Sequence, residues 1–270
     1  MRPRGADYAR ALVGVCLLIL AAAAPARAQS ADDYVKQGVA AFKLGDLKAM
    51  RDAKVLYEQA LKADQTNYDA AWHLAETQYY LWESAAGWSS AYGSKQDLLL
   101  DLSKRGVQAG QLAVKLRPGG VEGLFWLAAN MGIWGLTNGP LDSLAQVPQL
   151  LKVLAKCAEV DPQGKFERGS CFRIIGALYT QLPGFPVSIG DKQKAEEAFQ
   201  KSFINGSGYG INQTLYAELH IARGDYKKAR DVLEKALTVM RARKPYDYYD
   251  RRDMKRAEDL LKIVDSKLKN

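Results

Sequence analysis

The sequence has few of the side chains on which catalysis and metal binding depend. It contains only two histidines, His73 and His220, in 270 residues, and they fall on different predicted helices. His73 and Glu76 would share a helical face, but two ligands do not complete a metal site. The chain also lacks a nucleophile elbow, a P-loop and a dinucleotide-binding fingerprint, since the glycine-rich segment 206–210 has no strand before it. We therefore expect no catalytic residue, no metal site and no cofactor, and we interpret the protein as a non-enzyme.

Long apolar runs and strand patterns are missing from most of the chain. After residue 28, no continuous apolar stretch is long enough to cross a membrane. Alternation of β-branched and polar residues, which is typical of strands, is nearly absent, whereas Ala, Leu, Lys, Glu and Gln dominate. The sequence therefore predicts an all-α protein.

The first 28 residues have the organisation of a secretory signal peptide. A basic leader precedes an uncharged apolar run at residues 11–24, and Ala26-Arg27-Ala28 is typical of a signal-peptidase site. The apolar run is short for a membrane span. We therefore expect residues 1–28 to be a cleaved signal peptide, with an uncleaved N-terminal anchor as the alternative.

The cysteine in this leader does not indicate lipidation. Cys16 lies inside the apolar run and follows Val15, where a lipoprotein signal requires a small residue. The mature protein, residues 29–270, is then exported without a lipid anchor, most naturally to a bacterial periplasm.

The positive charge of the chain is concentrated at its C-terminal end. The formal net charge is +8, and residues 241–270 hold ten basic and six acidic side chains. A basic tail can bind nucleic acid or anionic lipid. Here the basic residues alternate with acids on a helical pattern, which is typical of a solvated helix face. Together with export, this pattern leads us to expect no nucleic-acid partner.

A repeat of 34 residues, the tetratricopeptide (TPR) period, occurs in the C-terminal half. Each TPR unit is a pair of antiparallel helices, called here the first and the second helix. The segments that start at Gly190 and Gly224 align over their second helices. The small–large–small pattern of these helices recurs upstream at Ala53, Tyr57 and Ala60. The aligned pairs are Gly190 and Gly224, Asp191 and Asp225, Lys194 and Lys228, Ala195 and Ala229, Phe199 and Leu233, and Ser202 and Ala236.

The same pattern recurs at Leu150, Leu154 and Cys157 and, more weakly, at Gly106, Gly110 and Ala113, which makes five second helices. They imply five first helices, which we predict at 31–44, 69–84, 120–134, 167–181 and 209–223. A final helix at about 248–268 has an apolar face of Met254, Ala257, Leu261, Val264 and Leu268 that suits a capping helix. The predicted fold is a right-handed, TPR-like helical solenoid of about five helix pairs and a C-terminal capping helix. It occupies residues 29–270 as one domain.

Three segments are longer than the repeat requires. They are residues 84–94, 132–148 and 181–189, and we interpret each as a loop between the two helices of a pair. Long loops on one edge of a rigid scaffold commonly carry binding sites. Aromatic residues in or beside these loops are the candidate ligand- or partner-binding residues: Trp82, Trp88, Tyr92, Trp134 and Phe185.

The segment 173–203 resembles the TPR protein that is associated with TRAP-type transporters, the TatT-like family. Its Gly-x-Leu-Tyr, Leu-Pro-Gly-x-Pro, Gly-Asp and Lys-Ala steps carry the resemblance, as do Phe-Trp-Leu-Ala at 125–128 and Val-Asp-Pro at 160–162. The resemblance implies an exported, all-helical, non-enzymatic protein that works with a periplasmic solute-binding protein. It also implies a cavity or pore that a small organic ligand can reach.

Two functions from different classes are therefore left open. The first is an accessory component that binds a periplasmic solute-binding protein of a TRAP-type transporter together with a small organic ligand. The alternative is a periplasmic TPR scaffold for envelope or secretion assembly, with no small-molecule site. The sequence names neither the ligand nor the oligomeric state, so a homo-oligomer also stays open.

Two cysteines of the mature chain are placed to form a disulfide. Cys157 and Cys171 lie equally far from Gly164, the centre of the turn between two successive predicted helices. An oxidising periplasm favours such a bond. The alternative is a pair of buried free thiols that pack as small apolar residues.

Overall fold

The computed structural model describes residues 29–86, 95–244 and 248–269. The residues from Ala31 onward form one compact unit. Its α-helices are α1 Ala31–Phe42, α2 Leu47–Ala63, α3 Tyr68–Ala86, α4 Lys95–Leu116, α5 Val121–Asn138, α6 Pro140–Val160, α7 Ser170–Gln181, α8 Lys192–Gly206, α9 Gly210–Arg223, α10 Tyr226–Arg241 and α11 Tyr248–Lys269. A short 3₁₀ turn, Phe166–Arg168, precedes α7.

The helices pack as five consecutive antiparallel pairs. Each first helix contacts its own second helix, as in α1 with α2 and α3 with α4, and each pair stacks on the next. The final helix, α11, packs against α10 and α9. The predicted all-α, TPR-like solenoid of five pairs and a capping helix is confirmed. In the described part of the chain, no helix combines the length and the apolar character that a membrane span needs.

A recurrent Gly-Asp step starts three of the second helices. Asp46, Asp191 and Asp225 each precede a helix, and each carboxylate accepts hydrogen bonds from backbone N–H groups of the first turn. An N-cap of this kind satisfies donors that have no partner within the helix. The aligned Gly-Asp steps at 190–191 and 224–225 therefore mark the start of the second helix in the last two pairs.

The small positions of the repeat allow the two helices of a pair to approach closely. Ala53, Tyr57 and Ala60 are fully buried in α2. On the facing helix, a Cβ atom at Gly38 would lie 2.5 Å from the Tyr57 ring. Contact at this distance excludes any side chain larger than hydrogen, so the small–large–small pattern is a packing requirement.

The predicted loop at residues 132–148 is wrong. Helix α5 continues to Asn138, and α6 begins at Pro140, so the connection is Gly139 alone. Gly139 has a φ of 104°, in the region that favours glycine. Proline is tolerated at the first position of a helix because its missing N–H would have no helical partner there.

The other two predicted loops have different outcomes. Helix α7 ends at Gln181 and α8 begins at Lys192, which agrees with an insertion between them. The segment between α3 and α4, residues 87–94, lies outside the described residues, so the loop predicted at 84–94 is not tested; its first three residues belong to α3.

Cys157 on α6 and Cys171 on α7 are both fully buried. Their Cα atoms are 5.9 Å apart, and the structure joins their side chains as a disulfide. This separation lies within the range that disulfides adopt. The bond in the exported protein stays a prediction that thiol chemistry can test.

Candidate functional site

The first helices of four successive pairs enclose a cavity with the capping helix. Helices α3, α5, α7 and α9 supply its walls, and α11 lies across it. The cavity volume is about 330 Å³, within the range of small-molecule sites. In a helical solenoid, the first helices of successive pairs form one continuous face. The cavity is thus a product of the repeat and of its C-terminal cap.

One wall of the cavity is aromatic. Tyr79 and Tyr80 of α3 pack against Trp126 of α5, with ring centroids 5.6 and 5.5 Å apart. Phe125 lies edge-on to Trp126 at 4.7 Å. Burial raises the pKa of Tyr79 to about 12, so its hydroxyl stays protonated at neutral pH. These rings form a rigid apolar surface that flat or aliphatic groups can contact.

The capping helix contributes two arginines, each paired with acids. Arg252 lies 3.3 Å from Glu83 of α3 and donates to its neighbour Asp253 at 2.7 Å. Arg256 donates twice to Glu218 of α9. Burial raises the pKa of the Asp253 carboxyl, and Arg252 opposes this shift. The Arg252–Glu83 pair spans 169 residues of sequence and connects the cap with the second helix pair.

A third arginine, Arg173 of α7, also lines the cavity. It is 6% exposed. Its Nη1 donates to the backbone oxygen of Glu167 and to Oδ1 of Asn212, both at 2.9 Å. The guanidinium carbon also lies 5.5 Å from the Phe125 ring centroid, a cation–π distance. Burial lowers the pKa of Arg173 from its ordinary value.

The cavity adjoins a polar cleft through Glu167 and Tyr209, which line both. The cleft is lined by Lys165, Glu167, Arg168, Tyr209, Arg243, Tyr249 and Asp250. Burial raises the pKa of Tyr209 to about 12, with the nearby Glu167 acting in the same direction. Glu167 and Arg168 have φ values of 45° and 52°, unusual for residues other than glycine. The entrance is therefore a polar loop held in an uncommon backbone conformation.

The predicted aromatic site residues do not come together. Trp82 lines the cavity and donates from Nε1 to Oγ1 of Thr137 at 2.9 Å. Trp134 lies within α5, not in a loop as the sequence predicts, and lines a separate surface cleft between α4, α5 and α6. Phe185 is 94% exposed in the segment between α7 and α8. Trp88 and Tyr92 lie outside the described residues.

Sequence reasoning missed the three arginines of the cavity. Arg173 stands in an otherwise apolar stretch of a first helix, between Phe172 and Ile174, and this is the signal that could have drawn attention to it. Arg252 and Arg256 occur in a charged segment where neither is distinctive. Their position depends on how close the folded chain brings the capping helix to α3, which no local pattern predicts.

The two histidines lie apart from this cavity lining. His73 stacks between Tyr57 and Trp72 and contacts Glu76 at 2.9 Å through Nδ1. His220 is buried beside Tyr216. No group of three His, Cys, Asp or Glu side chains suited to a metal ion occurs among the described residues.

Comparison with protein families identifies the chain's relatives. The family described as TRAP transporter T-component matches residues 94–266, well over half of the chain. The chain belongs to the TRAP transporter T-component family. The matched region includes α5, α7, α9 and α11, and hence most of the cavity wall. The resemblance of the sequence to the TatT-like family is thereby confirmed.

Comparisons with solved structures concern the fold. A thermophilic TPR protein of Thermus thermophilus, TTC0263, is similar over 84% of this chain and 98% of its own, with 20% identity and a TM-score of 0.61. The MamA protein is 17% identical over 78% of this chain and 92% of its own, with a TM-score of 0.46. A search among curated proteins gave no significant match. The TTC0263 likeness supports the TPR fold.

Proposed function

We propose that this T-component is an exported, non-enzymatic accessory protein of a TRAP-type transporter. In this proposal it works in the periplasm, binds the solute-binding protein of that transporter and holds a small organic ligand. Membership of the T-component family supports the transporter role. The signal-peptide organisation of residues 1–28 supports export.

The observation that carries the ligand-binding part of the proposal is the cavity between α3, α5, α7, α9 and α11. Aromatic rings, backbone-anchored Arg173 and the paired arginines of α11 converge on a volume of about 330 Å³. An apolar pocket with a few fixed polar groups is the usual form of a small-molecule site. A scaffold whose only role is assembly has no need of such a cavity, so this observation favours the first function over the alternative.

The partner-binding part is supported by the exposed segment between α7 and α8. Phe185 is 94% exposed and Val187 is 66% exposed. Both lie on the short segment that connects α7 and α8. Exposed aromatic residues of this kind are common centres of protein interfaces. We propose that Phe185 contacts the solute-binding protein, with Trp88, Tyr92 and Trp134 as further candidate contacts. Trp82 belongs to the ligand site.

Binding of the purified solute-binding protein to the mature chain tests the partner proposal. We expect Phe185→Ser to weaken binding at least ten-fold without loss of helicity. Leu141→Ser is the matched control, because Leu141 is also an exposed apolar residue, 84% accessible, at the start of α6. Equal affinities of the parent and both variants would remove Phe185 from the interface. Absence of any binding by the parent chain would overturn the partner proposal.

A further inference from the structure

Arg173 is a buried cation without a carboxylate partner. Within the described residues it makes no salt bridge, and its two hydrogen bonds go to neutral oxygens of Glu167 and Asn212 through Nη1 alone. A guanidinium has five N–H donors, so most of its donor capacity is free of these two bonds. The residue lines the cavity and is 6% exposed. A buried charge without a counter-ion is costly unless a ligand neutralises it.

The other arginines of the cavity differ in this respect. Arg252 is paired with Glu83 and Asp253, and Arg256 is paired with Glu218. Glu167 is the remaining acid in the cavity wall, but its residue is exposed and its carboxylate lies 3.5 Å from the Tyr209 hydroxyl. Among the described residues of the cavity wall, Arg173 is therefore the arginine without a direct ion pair.

An apolar slot adjoins the cavity and shares no lining residue with the polar cleft. Its volume is about 280 Å³, and it lies between α5, α6 and α7. The slot and the cavity share the lining residues Gly132, Leu136, Ile174, Ala177 and Gln181. Its further wall is almost entirely apolar and includes Met131, Leu144, Val147, Leu150, Leu178 and Leu182.

Gly132 lies where the two spaces meet. It lines both, and a Cβ atom built there would meet no other atom within 4 Å. The backbone of α5 is therefore uncovered at this point of the boundary that the cavity and the slot share. Charge is thus available at one end of the combined space and apolar surface at the other.

We propose that the ligand is a monocarboxylate with an unbranched apolar body of medium length. Its carboxylate binds the guanidinium of Arg173, and its hydrocarbon part passes Gly132 into the slot. This inference rests on the proposed function, which assigns a small organic ligand to the cavity. Carboxylates match the planar donor geometry of arginine, and each CH₂ group that the slot buries adds a favourable transfer free energy. A dicarboxylate does not fit, because its second charge would lie against the apolar wall of the slot.

Calorimetric titration of the mature chain, residues 29–270, with three probes tests this ligand class. Octanoate carries both the charge and the chain, 1-octanol has the chain without the charge, and acetate has the charge without the chain. We expect octanoate to bind at least ten-fold more tightly than either. Octanol binding as tightly as octanoate, or no octanoate binding, would overturn the proposal.

Two variants locate the two ends of the ligand. Arg173→Gln should weaken octanoate binding at least ten-fold and leave octanol binding unchanged. Arg105→Gln removes the same charge at an exposed site, paired with Asp101, that lies in neither wall, and it should bind octanoate as the parent does. If Arg173→Gln and Arg105→Gln lower the octanoate affinity equally, the effect is one of general charge, and the assignment of the carboxylate to Arg173 is contradicted.

Gly132→Leu tests the slot independently of Arg173. Since no atom lies within 4 Å of the new Cβ position, the variant should fold and place its side chain at the junction. Octanoate affinity should fall at least ten-fold, while acetate binding stays at the parent level. Unchanged octanoate binding by the folded variant would show that the chain does not enter the slot.

These measurements are separable from the test of the proposed function. Neither Arg173 nor Gly132 lies in the exposed segment that contains Phe185, so both variants should bind the solute-binding protein as the parent does. Normal partner binding without octanoate binding would remove the ligand class alone. Octanoate binding without partner binding would remove the docking role and leave the ligand class standing.

Discussion

Arg173 on α7 and Asn212 on α9 share a hydrogen bond of 2.9 Å inside the solenoid. Asn212 is fully buried, and its Nδ2 group donates to the backbone oxygens of Arg168 and Gly206. Asn212 thus connects the cavity arginine with the entrance loop, whose residues Glu167 and Arg168 have positive φ. The Asn212 amide therefore orients the Arg173 guanidinium and also binds the backbone at Arg168 and Gly206.

Asn212→Ala should destabilise the protein by about 3 kcal/mol, because the change removes one of the two oxygen acceptors of Arg173 and the amide donor to the backbone oxygens of Arg168 and Gly206. Thermal unfolding followed by circular dichroism measures the loss. Asn205→Ala is the control, since Asn205 also donates its amide to a backbone oxygen, that of Gln163, but at an exposed position. Its effect should stay within about 0.5 kcal/mol. Similar losses in the two variants would contradict a special role for Asn212.

The two cysteines of the mature chain should be unreactive toward thiol reagents until they are reduced. We expect the unfolded, unreduced exported protein to show no free thiol, and reduction to release the thiols of Cys157 and Cys171. Reduction should lower the free energy of unfolding by about 3 kcal/mol, the chain-entropy value for a loop of this length. A Cys157→Ala, Cys171→Ala double variant should not respond to the reductant. Two reactive thiols before reduction would show that the bond does not form.

The arrangement of helices was predictable from the sequence because the repeat constrains local structure. The Gly-Asp steps at 190–191 and 224–225 recur as helix starts, and the small residues that follow are buried against the partner helix. Helix starts and close helix contacts require particular residue types at fixed positions, so these residues recur at a regular spacing in the sequence. The capping helix was predictable for the same reason, since Met254, Ala257 and Val264 fall on one face.

Glycine and proline were misleading between α5 and α6. Gly135 and Pro140 suggest a loop, but a Cβ at Gly135 would lie 3.1 Å from Oγ of Ser143 on the facing helix, and Pro140 occupies the first turn of α6. Glycine serves here as a contact point between two helices. The same residue types mark loops and tight helix crossings, and only the packing distinguishes them.

The cavity was not predictable because it depends on contacts between distant segments. Trp82 was singled out as an aromatic beside a turn, and it lines the cavity. The pairing of Arg252 with Glu83 requires the solenoid to bring α11 close to α3, which is a property of the assembled helices. Sequence periodicity gives the helices but not the space that they enclose.

His220 should make the stability of the protein depend on pH. Burial, and next the nearby positive charge of Lys228, lower the pKa of His220 below its ordinary value of 6.5. As the pH falls below about 6.5, the unfolded chain gains a proton at this site that the folded chain resists. Stability is then lost as the pH falls from 7 towards 5, by at most about 1.4 kcal/mol per pH unit for one proton.

The pH dependence of urea unfolding for the parent and for His220→Leu checks this expectation. Among the described residues neither ring nitrogen of His220 has a hydrogen-bond partner, and the nearest acid, Asp225, lies 3.9 Å from Nδ1 with a solvent-accessible carboxylate, so leucine leaves no buried partner unsatisfied. The difference in unfolding free energy between the two proteins should change between pH 7 and pH 5, with the parent losing more. Parallel pH curves would show that His220 titrates normally in the folded state.

The exposed tip of the segment between α7 and α8 should be removable. Phe185 and Val187 are exposed, whereas the base is held by the hydrogen bond from Gly190 N to Pro183 O at 2.7 Å. Replacing residues 185–188 by two glycines should change stability by about 0.5 kcal/mol or less and weaken partner binding. A longer deletion that includes Leu182 and Pro183, which line the slot, should lower the melting temperature. A large loss of stability in the short deletion would mean that the tip is part of the packing.

Two glycines in neighbouring helices should respond to alanine in opposite directions. At Gly132 of α5 an added Cβ meets no atom within 4 Å, so Gly132→Ala should stabilise the protein by about 0.5–1 kcal/mol, the usual gain in a helix interior. At Gly110 of α4 the Cβ would lie 2.7 Å from Cα of Leu127. Backbone cannot yield as a flexible side chain can, and overpacking of this kind costs about 1–3 kcal/mol.

The melting temperatures of Gly132→Ala and Gly110→Ala test whether the two changes have opposite effects on stability. The comparison is direct because both variants carry the same chemical change in a helix interior. Helix propensity alone predicts a gain in both, so the sign at Gly110 isolates the contact between α4 and α5. A gain at Gly110 would mean that these helices can separate without cost. A loss at Gly132 would mean that the junction between the cavity and the slot is closed in solution, which also removes the path proposed for the apolar part of the ligand.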